Sequence, residues 1–105
     1  MTVQLSSNQR KFLREKAHDL RPLVSVGKEG VTDNVIQALE DALNAHELIK
    51  VRFVADNKEK ERKAEICEQL SQKTGSAVAG RVGHIAIFYR PAPKTEDRTI
   101  KLPKK

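Results

Sequence analysis

Apolar residues recur at helical spacing along the first stretch of the chain, from Leu5 to Leu20. Ser6 or Ser7 is suited to cap this helix, because a serine hydroxyl accepts a hydrogen bond from a free N–H of the first turn. Pro22 ends it, since the residue before a proline is pushed out of the α region. The pattern therefore predicts a first helix over Leu5 to Leu20.

Two further stretches have helical spacing. Thr32 is a good N-cap for a second helix that runs to about His46 along a continuous apolar stripe. Asp56 or Asn57 is placed to cap a third helix from Lys58 to Lys73, whose apolar stripe is thinner.

Alternation of apolar and polar residues, typical of a half-buried strand, is clearest from Leu48 to Val54. There Lys50 and Arg52 point away from the apolar side. The predicted strands are Leu23–Val26, Leu48–Val54, Ser76–Val82 and Ile85–Tyr89.

The order is therefore helix, strand, helix, strand, helix, strand, strand. Such alternation favours right-handed crossovers and helices packed on a mostly parallel sheet. The last two strands are joined through Gly83 and His84, which predicts an antiparallel hairpin. We predict the α/β class, a single α-β-α-β-α-β-β sandwich with a four-stranded mixed sheet.

A chain of 105 residues forms one domain with one core. We expect that domain to span residues 1–92. Residues 93–105 are expected to form a basic extended tail, because they contain prolines, basic side chains and few large apolar residues. Ile100 and Leu102 are the residues of this tail suited to dock locally.

The net charge is +6, from 20 basic and 14 acidic side chains, and most of the excess lies in the second half of the chain. A small basic domain suggests a polyanion partner, most often nucleic acid, although a merely charged surface is the alternative. We find no secretion signal and no apolar run that could cross a bilayer, and Cys67 is expected to be buried and reduced. We expect a cytoplasmic monomer.

Four residues, Gly27, Lys28, Glu29 and Gly30, lie where the first strand meets the second helix. Glycine permits close approach of another backbone, and a helix N-terminus presents free N–H groups to an anion. With Lys28 at its tip, this corner is a candidate phosphate site, although its spacing matches neither a Walker loop nor a dinucleotide fingerprint. A plain strand-to-helix turn is the alternative.

Basic residues in other elements could widen such a site. Arg10 and Arg14 are four residues apart on the first helix, and Lys50 and Arg52 share one face of a strand. Each of these faces either contacts phosphates or is simply solvated.

Candidate catalytic residues are few. His18, His46 and His84 fall in three different elements, and none has the spacing of a metal ligand pair. The nucleophile elbow is absent, and no carboxylate pair stands out. We therefore expect neither enzymatic activity nor a metal, a cofactor or a small-molecule substrate.

Several segments together resemble the CRM domain, named for chloroplast RNA splicing and ribosome maturation, in its stand-alone bacterial form, the YhbY family. They are residues 23–35 (LVSVGKEGVTDNV), 46–52 (HELIKVR) and 77–84 (AVAGRVGH), followed by Tyr89, Arg90 and Pro91. The resemblance extends from Leu5 to about Pro103, and its specificity lies in the combination of segments.

This resemblance implies the same order of elements and a fold similar to the C-terminal domain of bacterial translation initiation factor three. It implies RNA binding through the loop from Gly27 to Gly30 and through basic residues nearby. Arg81 and His84 lie in a segment similar to the family's. Bacterial members associate with precursors of the large (50S) ribosomal subunit, so the implied partner is ribosomal RNA and the implied role is subunit assembly.

Only four residues are aromatic, so stacking on bases should be minor and structured RNA bound through its backbone is favoured. The affinity should then fall steeply as salt rises. Two alternatives remain. One is a general RNA-binding or translation factor acting on mature ribosomes or other RNAs; the other is a small hydrolase or protein-interaction module with an incidental basic surface.

Overall fold

Helices and strands follow one another in the predicted order in a computed structural model of the chain. The structure describes residues 4–27, 29–53, 60–92, 100 and 102–103, and for residues 60–62 it describes the backbone alone. The elements in the described ranges are α1 (Ser7–Ala17), β1 (Pro22–Val26), α2 (Asp33–Ala45), β2 (Leu48–Phe53), α3 (Lys60–Thr74), β3 (Ala77–Val82) and β4 (Ile85–Tyr89).

Both predicted caps at the starts of α1 and α2 are confirmed. The Ser6 hydroxyl accepts the backbone N–H of Gln9 at 3.2 Å, and the Gln9 side chain accepts the backbone N–H of Ser6 at 2.9 Å. The Thr32 hydroxyl accepts the N–H of Val35 at 3.2 Å. These bonds satisfy N–H groups that have no partner inside the helix.

The first helix is shorter than predicted, because α1 ends at Ala17 and not at Leu20. After Ala17 the chain tightens into turns, in which Leu20 donates its N–H to the Ala17 carbonyl at 2.9 Å. Pro22 then opens β1. The predicted end of β2 at Val54, the caps Asp56 and Asn57, and the predicted start of α3 at Lys58 lie outside the described residues.

The sheet is mixed and has the strand order β1-β2-β4-β3. Of the three pairings, only that of β1 with β2 is parallel, whereas β4 runs antiparallel to both β2 and β3. The expectation of a mostly parallel sheet is therefore wrong for neighbouring strands. The crossovers do leave β1, β2 and β3 running in one direction, but β4 lies between β2 and β3. The predicted β3–β4 hairpin is confirmed.

The helices cover the two faces of the sheet unequally. On one face, α2 and α3 enclose the larger core, which includes Leu39, Leu70 and the strand residues Val26, Val51 and Phe88. On the other face, α1 packs through Leu13 and Ala17 against residues of β2, β3 and β4. Because α1 has only 11 residues, it is short for a four-stranded sheet.

Arg90, directly after β4, joins the C-terminal ends of α2 and α3. Its Nη1 donates to the Glu40 carboxylate at 2.9 Å and to the Thr74 carbonyl at 2.7 Å, and its Nη2 donates to the Asn44 side chain at 2.8 Å. Its backbone N–H bonds the Glu47 carbonyl at 2.9 Å. One planar guanidinium thus bridges two helices and the sheet.

The described part of the C-terminal segment lies against α1. Ile100 and Leu102 pack on the α1-side core, as expected for these two residues. The buried Glu47 carboxylate accepts the N–H groups of Ala92 and Ile100, each at 3.3 Å, and Gln9 donates to the Pro103 carbonyl at 2.8 Å. Residues 93–99, 101 and 104–105, which belong to the predicted tail, lie outside the described residues.

Among the described helices, none has the length and apolar character needed to cross a membrane.

Candidate nucleic-acid interface

The segment from Gly27 to Gly30 forms a turn at one end of the sheet. The Gly30 N–H donates to the Gly27 carbonyl at 3.1 Å, which closes the turn. The end of β2 lies beside this turn, because Val26 at the end of β1 pairs with Phe53. The β3–β4 hairpin turn lies there too, because the Phe53 N–H donates to the His84 carbonyl at 2.8 Å. The turn, the end of β2 and the β3–β4 hairpin turn therefore lie together.

The two glycines of this turn differ in what the fold requires of them. Gly30 has a φ of 70°, in the left-handed region that favours glycine. Gly27 has no positive φ, and a Cβ added to it would meet no atom within 4 Å. Within the part of the chain that the structure describes, nothing thus requires glycine at position 27.

Two side chains at the N-terminus of α2 oppose the binding of an anion there. Thr32 already accepts one free N–H of the first turn, and the exposed Asp33 places a negative charge beside the helix dipole. Glu29, in the turn itself, is also exposed. Lys28, the predicted tip of the loop, lies outside the described residues. The positive charge needed to bind an anion at the Gly27–Gly30 turn therefore has to come largely from side chains of neighbouring elements.

Such cations lie on the part of the sheet that α1 leaves uncovered. Register places Ser25 beside Arg52, and Arg52 beside Ile85, which in turn pairs with Val82. Ser25 and Arg52 are exposed, and Val82 is 67% exposed. One step further from the turn lie the half-buried Lys50 and its buried neighbour Ile87, at the border with α1. We call the row together with these two residues the open sheet face.

Arg14 reaches this face from α1 by crossing β3 at Gly80. A Cβ at position 80 would lie 2.5 Å from the Cδ of Arg14, so glycine makes room for the arginine side chain. The Arg14 guanidinium donates to the Ala79 carbonyl at 3.2 Å. At Gly80 the group that approaches the strand closely is therefore a side chain.

A small cavity lies between α1 and the β3–β4 hairpin, and the Arg14 and Lys50 side chains line it. Its volume is about 190 Å³, and its other lining residues are His18, Val82, Ile85 and Ile87. Lys50 is held there, because its Nζ donates to the His18 carbonyl at 3.1 Å. Arg14, Lys50 and Arg52, three of the predicted basic residues, thus share one surface.

Arg10 and Arg81 do not join this surface. They line a separate groove of about 340 Å³ that runs along β3 between α1 and α3. The same groove reaches Cys67, which is buried as predicted. Burial raises the pKa of the Cys67 thiol to about 11, against a smaller opposing effect of the Arg81 charge. The thiol is therefore protonated at neutral pH and a poor nucleophile.

His84, in the hairpin turn, has a partner on α3. The Lys63 ammonium lies 3.0 Å from its Nδ1 and is itself buried. Because an ammonium only donates, Nδ1 is placed to accept this hydrogen bond. The pair adds a further positive charge beneath this end of the sheet.

Sequence patterns missed two apolar members of the open sheet face, Val82 and Ile85. Their positions on either side of the Gly83–His84 turn indicated that they pair, but not that α1 leaves Val82 exposed and Ile85 only partly buried. The sequence of a strand does not indicate whether a helix from another part of the chain packs over it.

Among the described residues, no cluster of three or more histidine, cysteine or acidic side chains could hold a metal ion.

Comparison with known proteins places the chain in a family. The model of the CRS1/YhbY (CRM) domain matches residues 5–90. The chain is 40% identical over 101 residues to an RNA-binding protein of Haemophilus influenzae, covering 96% of this chain and 97% of that one. It is 39% identical over 99 residues to the probable RNA-binding protein YqeI of Bacillus subtilis, covering 94% and 99%.

A solved structure agrees with these relatives. The solution structure of SAV1595 from Staphylococcus aureus superposes with a TM-score of 0.82 at 32% identity, covering 95% of this chain and 100% of that one. The order of helices and strands, the mixed sheet and the family match all agree with the resemblance found in the sequence. The chain belongs to the CRS1/YhbY (CRM) domain family.

Proposed function

We propose that this protein binds structured RNA through the Gly27–Gly30 turn and the open sheet face, and that it assists assembly of the large (50S) ribosomal subunit. The observation that carries the proposal is the grouping of Arg14, Lys50 and Arg52 at a part of the sheet that α1 leaves largely uncovered, beside that turn. Relatives similar over almost the whole chain are named as RNA-binding proteins, which supports an RNA partner.

The sheet face carries a larger share of the binding than the loop. Glu29 and Asp33 offset the charge of Lys28 near the turn, whereas no acidic side chain is among the described residues that line the cavity of the open sheet face. Arginine and lysine contacts to phosphates position an RNA without reading its sequence. The shape of a folded RNA, not a base sequence, then determines which site is bound.

Gly27 supports close contact at the turn. Since the fold leaves open space around its Cα, a glycine there lets an RNA backbone approach the chain directly. Arg10 and Arg81 line a different groove, and in this proposal they act only as secondary phosphate contacts.

Sedimentation of a cell lysate on a gradient tests both parts of the proposal. We expect the protein to travel with a particle slightly lighter than the mature large subunit and to leave that particle as salt rises, since phosphate contacts release counterions. Migration with mature ribosomes would favour a translation factor, and a position at the top of the gradient at both salts would contradict ribosomal binding.

The variant Gly27→Ala is expected to co-migrate with that particle less than the wild-type protein does, and to leave it at lower salt. Its added methyl group blocks close approach of RNA, yet it should stabilise the fold by about 0.4–1 kcal/mol, because alanine has fewer unfolded conformations than glycine. Urea unfolding of the purified variant checks that the fold is intact. Co-migration equal to that of the wild type would show that the turn is not a contact surface.

A further inference from the structure

We propose that the cavity between α1 and the β3–β4 hairpin receives a single unpaired base of the bound RNA. This inference rests on the proposed function and extends it from phosphate contacts to one nucleotide. It also departs from the expectation that bases contribute little, which followed from the small number of aromatic residues.

Size favours a small flat ligand. The cavity measures about 190 Å³, below the range of roughly 300–1,000 Å³ typical of sites for cofactors and drug-sized molecules. A single heterocyclic ring system attached to a chain outside the cavity meets this limit.

The floor of the cavity is apolar and partly uncovered. Ile87 is buried, Ile85 is partly buried, and Val82 is 67% exposed although it is a large apolar residue. Val82 and Ile85 lie opposite each other in the hairpin, so their side chains form one continuous apolar surface. Covering such a surface with the face of a base removes apolar area from water.

The rim is cationic and held in position. Arg14 is fixed by its bond to the Ala79 carbonyl and Lys50 by its bond to the His18 carbonyl. Each of these bonds uses one donor, and a guanidinium and an ammonium have five and three, so both side chains retain donors for a phosphate or for the acceptor atoms of a base. An apolar floor with fixed cations at its rim matches a base carried on a phosphate chain.

Position favours RNA over a protein partner. The cavity shares Ile85 with the row that contains Arg52, and that row ends beside the Gly27–Gly30 turn. An RNA strand held by the turn and by Arg52 would therefore pass the mouth of the cavity. A protein segment would have to bring its own acidic groups to pair with Arg14 and Lys50.

The test compares two RNA hairpins that differ in one group. Both contain one bulged nucleotide, but in the second that nucleotide is abasic, so phosphate charge is equal and only the base is lost. We expect the wild-type protein to bind the first hairpin at least about fivefold more tightly, from the apolar area the base covers. The variant Val82→Thr/Ile85→Thr keeps strand-forming residues and every charge, and we expect it to bind both hairpins alike.

The outcomes separate this proposal from the proposed function. Equal wild-type affinity for the two hairpins overturns the base site and leaves phosphate binding intact. A preference that survives in Val82→Thr/Ile85→Thr also overturns it, because the base then contacts another part of the surface. Absence of binding to either hairpin contradicts both proposals.

Discussion

The variant Lys28→Glu/Arg52→Glu should bind structured RNA about a hundredfold more weakly than the wild-type protein, from the loss of two phosphate contacts and the repulsion that replaces them. Arg52 is exposed in the middle of the open sheet face, between Ser25 and Ile85, so its exchange removes no core contact. Fluorescence anisotropy with a labelled RNA hairpin at several salt concentrations measures the effect. The slope of log affinity against log salt should become shallower by about 0.7–0.9 per lost contact.

A matched control separates site-specific contacts from net charge. Lys11 on α1 and Lys73 in the last turn of α3 are both exposed, and neither lines the cavity of the open sheet face. Lys11→Glu/Lys73→Glu changes the net charge by the same amount and should weaken binding far less, because charges distant from the contact surface are screened by salt. Similar losses in the two double variants would mean that RNA is attracted only by overall charge.

Replacing Arg90 with methionine is expected to lower the free energy of unfolding by about 2–4 kcal/mol, the largest effect on stability that we predict for a single side chain. Methionine keeps an apolar stem but loses the donors to Glu40, Asn44 and the Thr74 carbonyl. The Thr74 carbonyl lies at the end of α3, where no residue of the helix can replace the lost donor. Urea unfolding followed by circular dichroism measures the change.

Arg90→Lys provides the comparison for this prediction. A lysine keeps the charge but cannot reach three acceptors with one planar group, so it should recover only part of the lost stability. RNA binding by the folded variants should stay near that of the wild type, because Arg90 lies at the end of the sheet away from the Gly27–Gly30 turn. Stability of Arg90→Met within about 0.5 kcal/mol of the wild type would contradict the structural role.

Local sequence patterns were sufficient to predict most elements. The apolar stripe after Thr32 and the alternation around Lys50 depend only on neighbouring residues, and they predicted α2 and β2 to within about one residue at each described end. Strand pairing, in contrast, is not determined by residues that are adjacent in sequence. That β4 lies between β2 and β3 follows from contacts between residues more than thirty positions apart, which periodicity does not record.

The candidate site likewise combines a motif that is local in sequence with contacts between residues far apart in sequence. The turn from Gly27 to Gly30 is a local motif, and the sequence located it directly. The meeting of Arg14 with Gly80 joins residues 66 positions apart, and the exposure of Arg52 and Val82 depends on where α1 packs on the sheet. Arg90 illustrates the same limit, since the sequence associated it with a family but its three side-chain partners lie on two different helices.

Ultraviolet cross-linking of the wild-type protein to RNA in growing cells, with identification of both the cross-linked peptides and the attached RNA, tests the central claim most directly. We expect cross-links in peptides that contain residues 22–30, 50–53 and 80–87, joined to ribosomal RNA of large-subunit precursors. Cross-links confined to the outer surfaces of α2 and α3, or RNA without enrichment of ribosomal sequences, would contradict it.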